Sequence, residues 1–314
     1  MRSLSALFTA IRIVVVPALL LALTPAAGAA PVCIVLSGES SQFNETVQGF
    51  KTYLDQHGPA ADINVHALNR DGQQPGDVAR SVHQAKAAAV LALGSQAAQI
   101  VAQANLEGPV IVALVFAAAD IAGLANATGV YLEIPVETQL AQIKRLFPKA
   151  RRVGVLYSSE NQKRIAEASR ISAKYGLTIE AQEVASPKEI PSALDWVGKN
   201  ADILWGVMDK IVLTTETVKQ FLLFSLRNEL PFIGPSENWA KAGAAAAFGW
   251  DFIDIGAQCG EILAKLAKGA KASGIAPAAA RKTEYALNLK TAEQMKIEFN
   301  PEVVNSAKRV FKGE

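Results

Sequence analysis

The sequence has few of the residues and motifs that enzymes use for metal binding and nucleophilic catalysis. Its 314 residues include three histidines, His57, His66 and His83, which fall on separate predicted elements without a Cys/His/Asp cluster at metal-ligand spacing. The run GSQ at 94–96 lacks the closing glycine of a nucleophile elbow, and the chain has neither a G-x-x-x-x-G-K-[ST] loop nor a G-x-G-x-x-G run after a predicted strand. We therefore predict no catalytic residue, no metal site and no cofactor, and we expect a protein that is not an enzyme.

The sequence also has almost no excess of charge of either sign. It contains 31 Lys and Arg residues against 29 Asp and Glu residues, but Arg2 and Arg12 belong to residues 1–29, which contain no acidic residue. The rest of the chain is therefore balanced, and its basic residues are scattered without interleaved aromatics. A neutral protein has no general electrostatic attraction for nucleic acid or for an anionic membrane, so neither is an expected partner.

Cysteine is scarce, with only Cys33 and Cys259 in the chain. In an oxidising compartment these two residues could form a disulfide. However, Cys33 falls in an apolar run that is typical of a buried strand, and Cys259 falls on the apolar side of a predicted helix. We therefore favour two unpaired thiols in the core and keep the disulfide as the alternative.

A long hydrophobic run occurs only at the beginning of the chain. Two arginines precede an apolar core at residues 13–23, and small residues follow it at 26–30. This order is the pattern of an export signal with an A-x-A-like cleavage site. Because this core is too short to span a bilayer comfortably, we predict a signal peptide at residues 1–29, cleavage after Ala29 and a periplasmic location. The alternatives are an uncleaved membrane anchor and, less favoured, a lipoprotein attached through Cys33, since Val32 is not the small residue expected beside a lipidated cysteine.

The rest of the sequence alternates regularly between predicted strands and helices. The run 32–36 is apolar throughout, as expected of a parallel strand buried on both faces. The first half has predicted strands at 32–36, 63–68, 88–93 and 110–116, separated by predicted helices at 44–56, 77–87 and 95–104. Alternation at these lengths indicates β-α-β units and a parallel sheet flanked by helices.

Residues 128–161 form the transition to a second half with the same plan. A strand is predicted at 129–134, a helix begins after Pro135, and a proline within 147–149 ends that helix before the next strand at 153–157. Further strands are predicted at 177–184, 202–207 and 231–234, and further helices at 163–174, 189–198 and 217–228. The two halves repeat an architecture and are not a residue-by-residue duplication.

The last part of the chain does not belong to one half alone. The pattern predicts a strand at 244–250, a long helix at 252–269, a small-residue linker at 270–280, a strand at 285–289 and one or two helices within 293–310. We therefore expect an α/β fold of two lobes joined by several hinge crossings. The first lobe would contain residues 30–128 and about 251–275, and the second lobe residues 129–250 and about 281–314.

Three runs of this sequence resemble a known family. They are GVLYSSE after KRLFPKARR, then PFIGPSENWAKAGAAAAFGWDFIDIGAQCGEILAKLAKG, and then TEYALNLKTAEQMKI. They resemble the substrate-binding proteins of ABC transporters, in particular the group with predicted tryptophan/tyrosine-type binding proteins and a type I periplasmic-binding fold. The resemblance implies two Rossmann-like lobes, a ligand in the cleft, a monomer and delivery to a permease in the inner membrane. The chain departs from the family pattern at 117–127, which is shorter than usual, and at 208–210, where a Thr-Asp-Asn-like run retains only Asp209.

The topology of parallel sheets predicts where a ligand would bind. Side chains and helix N-termini converge outside the carboxyl ends of the strands, and that rule nominates residues from both lobes. The nominated ligand-binding residues are Ser40, Ser41, Phe43, Ser95, Gln96, Phe116, Ser158, Ser159, Asn161, Met208, Asp209, Ser236, Glu237, Trp250 and Asp251.

The chemistry of these nominees suggests an amino acid or a similar small zwitterion as a hypothesis. Serine hydroxyls at helix N-termini suit a carboxylate, Asp209 or Glu237 would suit an ammonium group, and the aromatic residues could hold an apolar side chain. The alternative is that the serines only cap helices and that Phe116 and Met208 only fill the core; Trp205, inside a strand, is expected to be packing. If Asp209 contacts the ligand, its replacement by alanine should weaken binding and leave the ligand-free melting temperature nearly unchanged.

We therefore predict an exported solute-binding protein that closes on a small molecule by hinge motion and delivers it to an ABC transporter permease. One alternative is a sensory or orphan binding protein that presents its closed form to a membrane receptor. A second, less favoured alternative is an exported enzyme that uses the same cleft.

Overall fold

The computed structural model describes residues 30–68, 75–104, 106 and 108–312. The predicted signal peptide at residues 1–29 lies outside this part of the chain. The described residues form two separate sheets, each flanked by helices. This arrangement confirms the predicted α/β fold with two Rossmann-like lobes.

The first lobe contains a parallel sheet with the strand order β2-β1-β3-β4-β5. Strands β3 and β4 are buried at every residue, which explains why their sequences are apolar without alternation. The elements are β1 (Ala30–Leu36), α1 (Ser41–His57), β2 (Ala61–Ala67), α2 (Pro75–Gln84), β3 (Ala89–Leu93), α3 (Ser95–Gln103), β4 (Val110–Val115), α4 (Ala119–Ala122) and β5 (Ala127–Tyr131).

The second lobe repeats this plan with the parallel order β7-β6-β8-β9-β10. Its first helix begins directly after Pro135 and ends before Pro148, as the sequence predicts. The elements are α5 (Val136–Leu146), β6 (Arg152–Tyr157), α6 (Gln162–Ile171), β7 (Thr178–Glu183), α7 (Ile190–Asn200), β8 (Ile203–Trp205), α8 (Val218–Arg227), β9 (Phe232–Gly234), α9 (Glu237–Ala242) and β10 (Ala246–Trp250).

Within the described residues, the chain passes between the two sheets three times. Residues 132–135 lead from β5 to α5, and Asp251 leads from β10 to α10 (Phe252–Ala267), which packs on α1. Residues 280–282 then lead from β11 (Ala278–Ala279), the sixth strand of the first sheet, to β12 (Thr283–Asn288) in the second sheet. The second lobe ends with α11 (Leu289–Gln294), α12 (Pro301–Asn305) and β13 (Arg309–Phe311).

The structure differs from the prediction in several details. Strand β5 pairs with β4 in the first sheet, whereas the boundary predicted from the sequence placed the start of the second lobe at residue 129. Strand β11 lies inside the predicted linker, β13 replaces the end of a predicted helix, and β12 runs antiparallel to β10. Short strands at the edge of a sheet form because a distant strand is available for pairing, and local sequence patterns do not contain that information.

Helices α1 and α10 touch through their backbones, which fixes the first lobe against one crossing. A Cβ atom on Gly49 would lie 1.9 Å from the carbonyl oxygen of Ile253, and one on Gly256 would lie 2.1 Å from the carbonyl oxygen of Thr46. Only glycine permits this distance at both positions. Helix α1 is therefore held next to the crossing at Asp251.

The two cysteines are free and buried, as favoured from the sequence. Cys33 lies in β1 and Cys259 in α10. Burial raises the pKa of the Cys33 thiol, and it raises the pKa of the Cys259 thiol to about 12. Both side chains are therefore neutral thiols of the core at neutral pH.

Candidate ligand-binding cleft

The carboxyl ends of the strands of both lobes face a shared pocket. Phe116, which directly follows β4, lines this pocket from the first lobe. Glu133 lines it from the crossing at 132–135. Arg164, Met208 and Trp250 are among the walls from the second lobe. Residues of both lobes and of one crossing therefore line the same pocket.

The lining of this pocket is largely apolar. Phe116 is 55% exposed and Met208 is 50% exposed, although both are large apolar side chains. Both were nominated from the sequence, where packing in the core was the alternative. Their exposure excludes simple core packing in this structure and leaves two apolar surfaces available to a bound molecule.

Trp250 separates this pocket from a second one and carries an unpaired polar atom. The residue ends β10, is only 8% exposed, and lines both the first pocket and a second, adjacent pocket. Its indole Nε1–H is buried and has no hydrogen-bond partner in the described part of the chain. By contrast, Trp205 is packing, as predicted, and its Nε1–H donates to Gln139 Oε1 at 2.8 Å. A buried donor without a partner is unfavourable, and a ligand acceptor in the cleft would relieve that penalty.

Asp209 has a structural environment that the sequence did not reveal. Its carboxylate is buried and accepts five hydrogen bonds from other residues of the second lobe. Oδ2 accepts from Ser158 N at 2.8 Å, from Ser158 Oγ at 2.9 Å and from Asn161 Nδ2 at 2.9 Å. Oδ1 accepts from Ile211 N at 2.9 Å and from Val212 N at 3.0 Å. The carboxylate therefore ties the loop after β8 to the loop after β6 and has little capacity left for an ammonium group.

The same hydrogen bonds set the ionisation of Asp209. Burial acts to raise the pKa of its carboxyl, but the bonds from Ser158, Asn161, Val212 and Ile211 outweigh burial, so the pKa lies below the ordinary value. An aspartate pKa that is lower in the folded state than in the unfolded state adds stability above the unfolded value. That stability is lost as the pH falls through the folded value.

We therefore expect acid to weaken the second lobe through Asp209. Because the unfolded pKa of an aspartate is about 3.9, the loss should begin near that pH and grow below it. Denaturant unfolding of the ligand-free protein between pH 7 and pH 3 would measure it against Asp209→Asn, which cannot ionise. We expect a smaller acid-dependent loss in the variant, and identical pH dependence in both proteins would contradict this assignment.

Two of the polar residues predicted as ligand contacts after β6 instead donate hydrogen bonds to Asp209. Ser158 is buried and uses its N–H and its hydroxyl on Asp209. Asn161 is also buried, and its amide nitrogen donates to Met208 O and to Asp209 Oδ2, each at 2.9 Å. Ser159 is exposed beside them. Asn161 in this way fixes the backbone of Met208, whose side chain lines the pocket.

The nominees after β1 and β3 lie on the first lobe outside both pockets. Ser40 caps α1 and accepts a hydrogen bond from Phe43 N at 3.5 Å, while Phe43 is half-buried against the core. Ser41 is exposed in the first turn of α1, and Ser95 and Gln96 are exposed in the first turn of α3. These residues stay ligand contacts only as a proposal that requires further closure of the lobes.

The remaining nominees surround the second pocket or the crossing beside it. Ser236 and Glu237 line the second pocket at the start of α9, and Glu237 Oε1 accepts from Arg309 Nε at 3.3 Å. Asp251 caps α10 by accepting a hydrogen bond from Asp254 N at 2.9 Å. Glu237 and Asp251 therefore already have partners within the second lobe and its crossing.

The second pocket also contains a charged cluster that the sequence analysis missed. Lys308 Nζ lies 3.4 Å from Glu284 Oε2 and 3.6 Å from Glu45 Oε2, so it joins the second lobe to α1 of the first. Burial raises the pKa of Glu284, and the carboxylates of Asp251 and Glu45 add to this shift although Lys308 opposes it. This contact is an electrostatic link between the lobes beside the cleft.

Glu133 and Arg164 were not predicted from the sequence as ligand contacts, although both line the first pocket. Arg164 Nη2 donates to Glu133 Oε1 at 2.6 Å, and Arg164 Nη1 donates to Ile134 O at 3.4 Å. Glu133 lies on a crossing and Arg164 on a helix, so a rule that considers only the ends of strands selects neither. Their opposite charges, at the points where the chain leaves one lobe and α6 begins, were the only available signal.

Two kinds of feature are absent from the part of the chain that the structure describes. It holds no group of three or more His, Cys, Asp or Glu side chains that could bind a metal ion. None of its helices combines the length and the hydropathy that crossing a membrane requires.

Two α/β lobes, three crossings and a cleft at the strand ends define the type I periplasmic-binding fold, and comparisons with solved structures show the same fold. The chain is similar to the ABC domain from Streptococcus pneumonia in complex with L-Trp, with 22% identity, coverage of 90% of this chain and 100% of that one, and a TM-score of 0.57. It is also similar to the ligand-free, open structure of a substrate binding protein with adhesive properties from Clostridium difficile. There the identity is 18%, the coverage 91% and 100%, and the TM-score 0.71.

Sequence comparison shows the family. Residues 31–311 match the family model described as ABC transporter substrate binding protein, and this chain belongs to that family. A curated relative is the tyrosine-binding protein of Clostridioides difficile (strain R20291). It is 21% identical over 272 residues, which cover 82% of this chain and 78% of that protein.

Proposed function

We propose that this protein captures a small solute in the cleft between its lobes and delivers it to the permease of an ABC transporter. The observation that carries this proposal is the first pocket. Phe116 of the first lobe and Trp250 of the second line it together, and the Trp250 indole N–H is buried without a partner in the described residues. A pocket that both lobes line is what a closing binding protein requires.

The lining of this cleft favours a solute with an apolar or aromatic part. Phe116 and Met208 offer exposed apolar surface, and Trp250 offers one hydrogen-bond donor beside it. The curated relative is a tyrosine-binding protein, and one solved structure with this fold holds L-Trp. Aromatic amino acids are therefore the first solutes to test.

The binding mechanism is closure of one lobe on the other. A solute that contacts both lobes binds the closed form more tightly than the open form, and only this difference in affinity can shift the population toward closure. The three crossings act together as a hinge and restrict the motion to one direction. The closed form is the state that a permease would select.

Export to the periplasm completes the proposal. The sequence of residues 1–29 has the pattern of a cleaved signal peptide. The protein would then act as a monomer that carries its solute to the inner membrane.

A thermal-shift screen of free amino acids and related metabolites tests the proposed function. A solute that binds only the native state raises the apparent stability by an amount that grows with its concentration relative to the Kd. We expect at least one aromatic amino acid to raise the melting temperature by several degrees at about a hundred times its Kd, using the roughly 2.7 kcal/mol that such saturation supplies. If no solute in the screen shifts the melting temperature, the proposed function is wrong.

A further inference from the structure

The Glu133–Arg164 ion pair is placed where the head group of a solute would lie. Glu133 belongs to the crossing between β5 and α5, and Arg164 belongs to α6 of the second lobe. Both line the pocket that contains Phe116, Met208 and Trp250. A solute whose apolar part packs on these three side chains would bring its remaining part to the ion pair.

The pair keeps free hydrogen-bonding capacity on both partners. Arg164 uses Nη2 on Glu133 Oε1 and Nη1 on Ile134 O, and a guanidinium has five N–H donors in all. Within the described residues, no donor reaches Glu133 Oε2 and no acceptor reaches Arg164 Nε. Each side chain can therefore accept a second partner without giving up the first.

The pair is also accessible from the cleft. The Arg164 side chain is 24% exposed and the Glu133 side chain is 42% exposed. Ion pairs with this much exposure contribute little to folding stability, so sharing them with a solute does not threaten the fold.

The other charged groups near the cleft are already occupied. Asp209 accepts five hydrogen bonds, and Glu237 is paired with Arg309. Lys308 is held between Glu284 and Glu45. None of these three groups lines the pocket that contains the exposed apolar side chains, whereas Glu133 and Arg164 both do.

We infer that the Glu133–Arg164 pair binds the head group of a free aromatic α-amino acid. This inference rests on the proposed function and deepens it. An ion pair at hydrogen-bond distance presents a negative and a positive charge side by side, and an α-amino acid carries its ammonium and its carboxylate on one carbon, so each group can face the opposite charge. The ammonium binds Glu133 Oε2, and the carboxylate binds the remaining donors of Arg164.

This arrangement attaches the solute to the hinge itself. Arg164 already donates to Ile134 O on the crossing at 132–135, next to Glu133. A head group bound to both side chains therefore fixes that crossing against α6.

Three probes with the same indole ring separate the two charges. L-tryptophan has both charged groups, tryptamine lacks the carboxylate, and indole-3-propionate lacks the ammonium. Their Kd values are measured by titration calorimetry on the wild type and on Glu133→Gln, Arg164→Gln and Arg152→Gln. The last variant is the control, because Arg152 pairs with Asp202 at 2.7 Å in the same lobe but does not line either pocket.

The expected result is a loss of affinity that depends on the charge removed. Glu133→Gln should weaken L-tryptophan and tryptamine at least tenfold and leave indole-3-propionate within threefold of the wild type. Arg164→Gln should weaken L-tryptophan and indole-3-propionate at least tenfold and leave tryptamine within threefold. Arg152→Gln should leave all three Kd values unchanged, and the melting temperature of each ligand-free variant checks that it is folded.

Other outcomes overturn the inference. Equal losses for all three probes would show that the pair only supports the fold, and unchanged Kd values would show that the head group binds elsewhere; both leave the proposed function standing. Failure of L-tryptophan to bind the wild type also overturns the inference. The proposed function is then tested by whether another solute of the thermal-shift screen binds. Glu133→Ala and Arg164→Ala, which remove the same charges, repeat the test if a glutamine variant does not fold.

Discussion

Replacing Asp209 by alanine is expected to lower the stability of the ligand-free protein by about 3 kcal/mol, because the change leaves buried donors without their acceptor. The residue is only 5% exposed, and five donors converge on its carboxylate from Ser158, Asn161, Ile211 and Val212. At 2–4 °C per kcal/mol for a chain of this size, the melting temperature should fall by roughly 6–12 °C. Thermal and denaturant unfolding without solute would measure this effect.

Asp251→Ala is the matched control for that experiment. The Asp251 carboxylate also accepts a hydrogen bond from the backbone, but within the described residues its one donor is Asp254 N, at 2.9 Å, as the cap of α10. Loss of a single cap typically costs about 1 kcal/mol. A melting temperature of Asp209→Ala within 2 °C of the wild type, together with lost binding, would instead support the expectation formed from the sequence, in which Asp209 contacts the solute.

Replacing Trp250 by phenylalanine is expected to weaken solute binding by roughly tenfold, which corresponds to about 1.4 kcal/mol for one hydrogen bond in a desolvated site. The stability of the ligand-free protein should change by less, about 1 kcal/mol. The smaller side chain loses packing, but the variant also removes an indole N–H that has no partner in the described residues, and this removal partly offsets the loss. Titration calorimetry with the best solute from the screen would measure affinity, and denaturant unfolding would measure stability.

Trp196→Phe is the control for the Trp250 variant. Trp196 is 38% exposed on α7 and lines neither pocket, so its replacement should leave the Kd unchanged. If Trp250→Phe binds the solute as tightly as the wild type, the buried indole N–H has no part in recognition, and the pocket beside Trp250 loses its main support as the solute site.

The strands and helices could be predicted well because burial and periodicity are local signals. The continuous apolar sequences of β3 and β4 and the proline boundaries of α5 each indicate their element without reference to the rest of the chain. Strands β11 and β13 are two and three residues long. They exist because β5 and β12 offer edges for pairing, and nothing within so few residues predicts that contact.

The candidate site could be predicted in part for the same kind of reason. The rule on strand ends selects Phe116, Met208 and Trp250, and the structure places all three around one pocket. The rule also selects Asp209, but the residue's partners lie as far as 51 positions away, so the sequence could not show that its carboxylate was already satisfied. Glu133 and Arg164 become neighbours only when α6 packs beside the crossing, 31 positions along the chain.

A crystal structure of the protein with its best-stabilising solute is the most direct test of the central claim. We predict that the solute lies between Phe116 of the first lobe and Trp250 of the second, with a hydrogen-bond acceptor at the Trp250 Nε1–H and the lobes closer together than in the ligand-free protein. A solute that contacts one lobe alone, or that binds outside this cleft, would contradict the account.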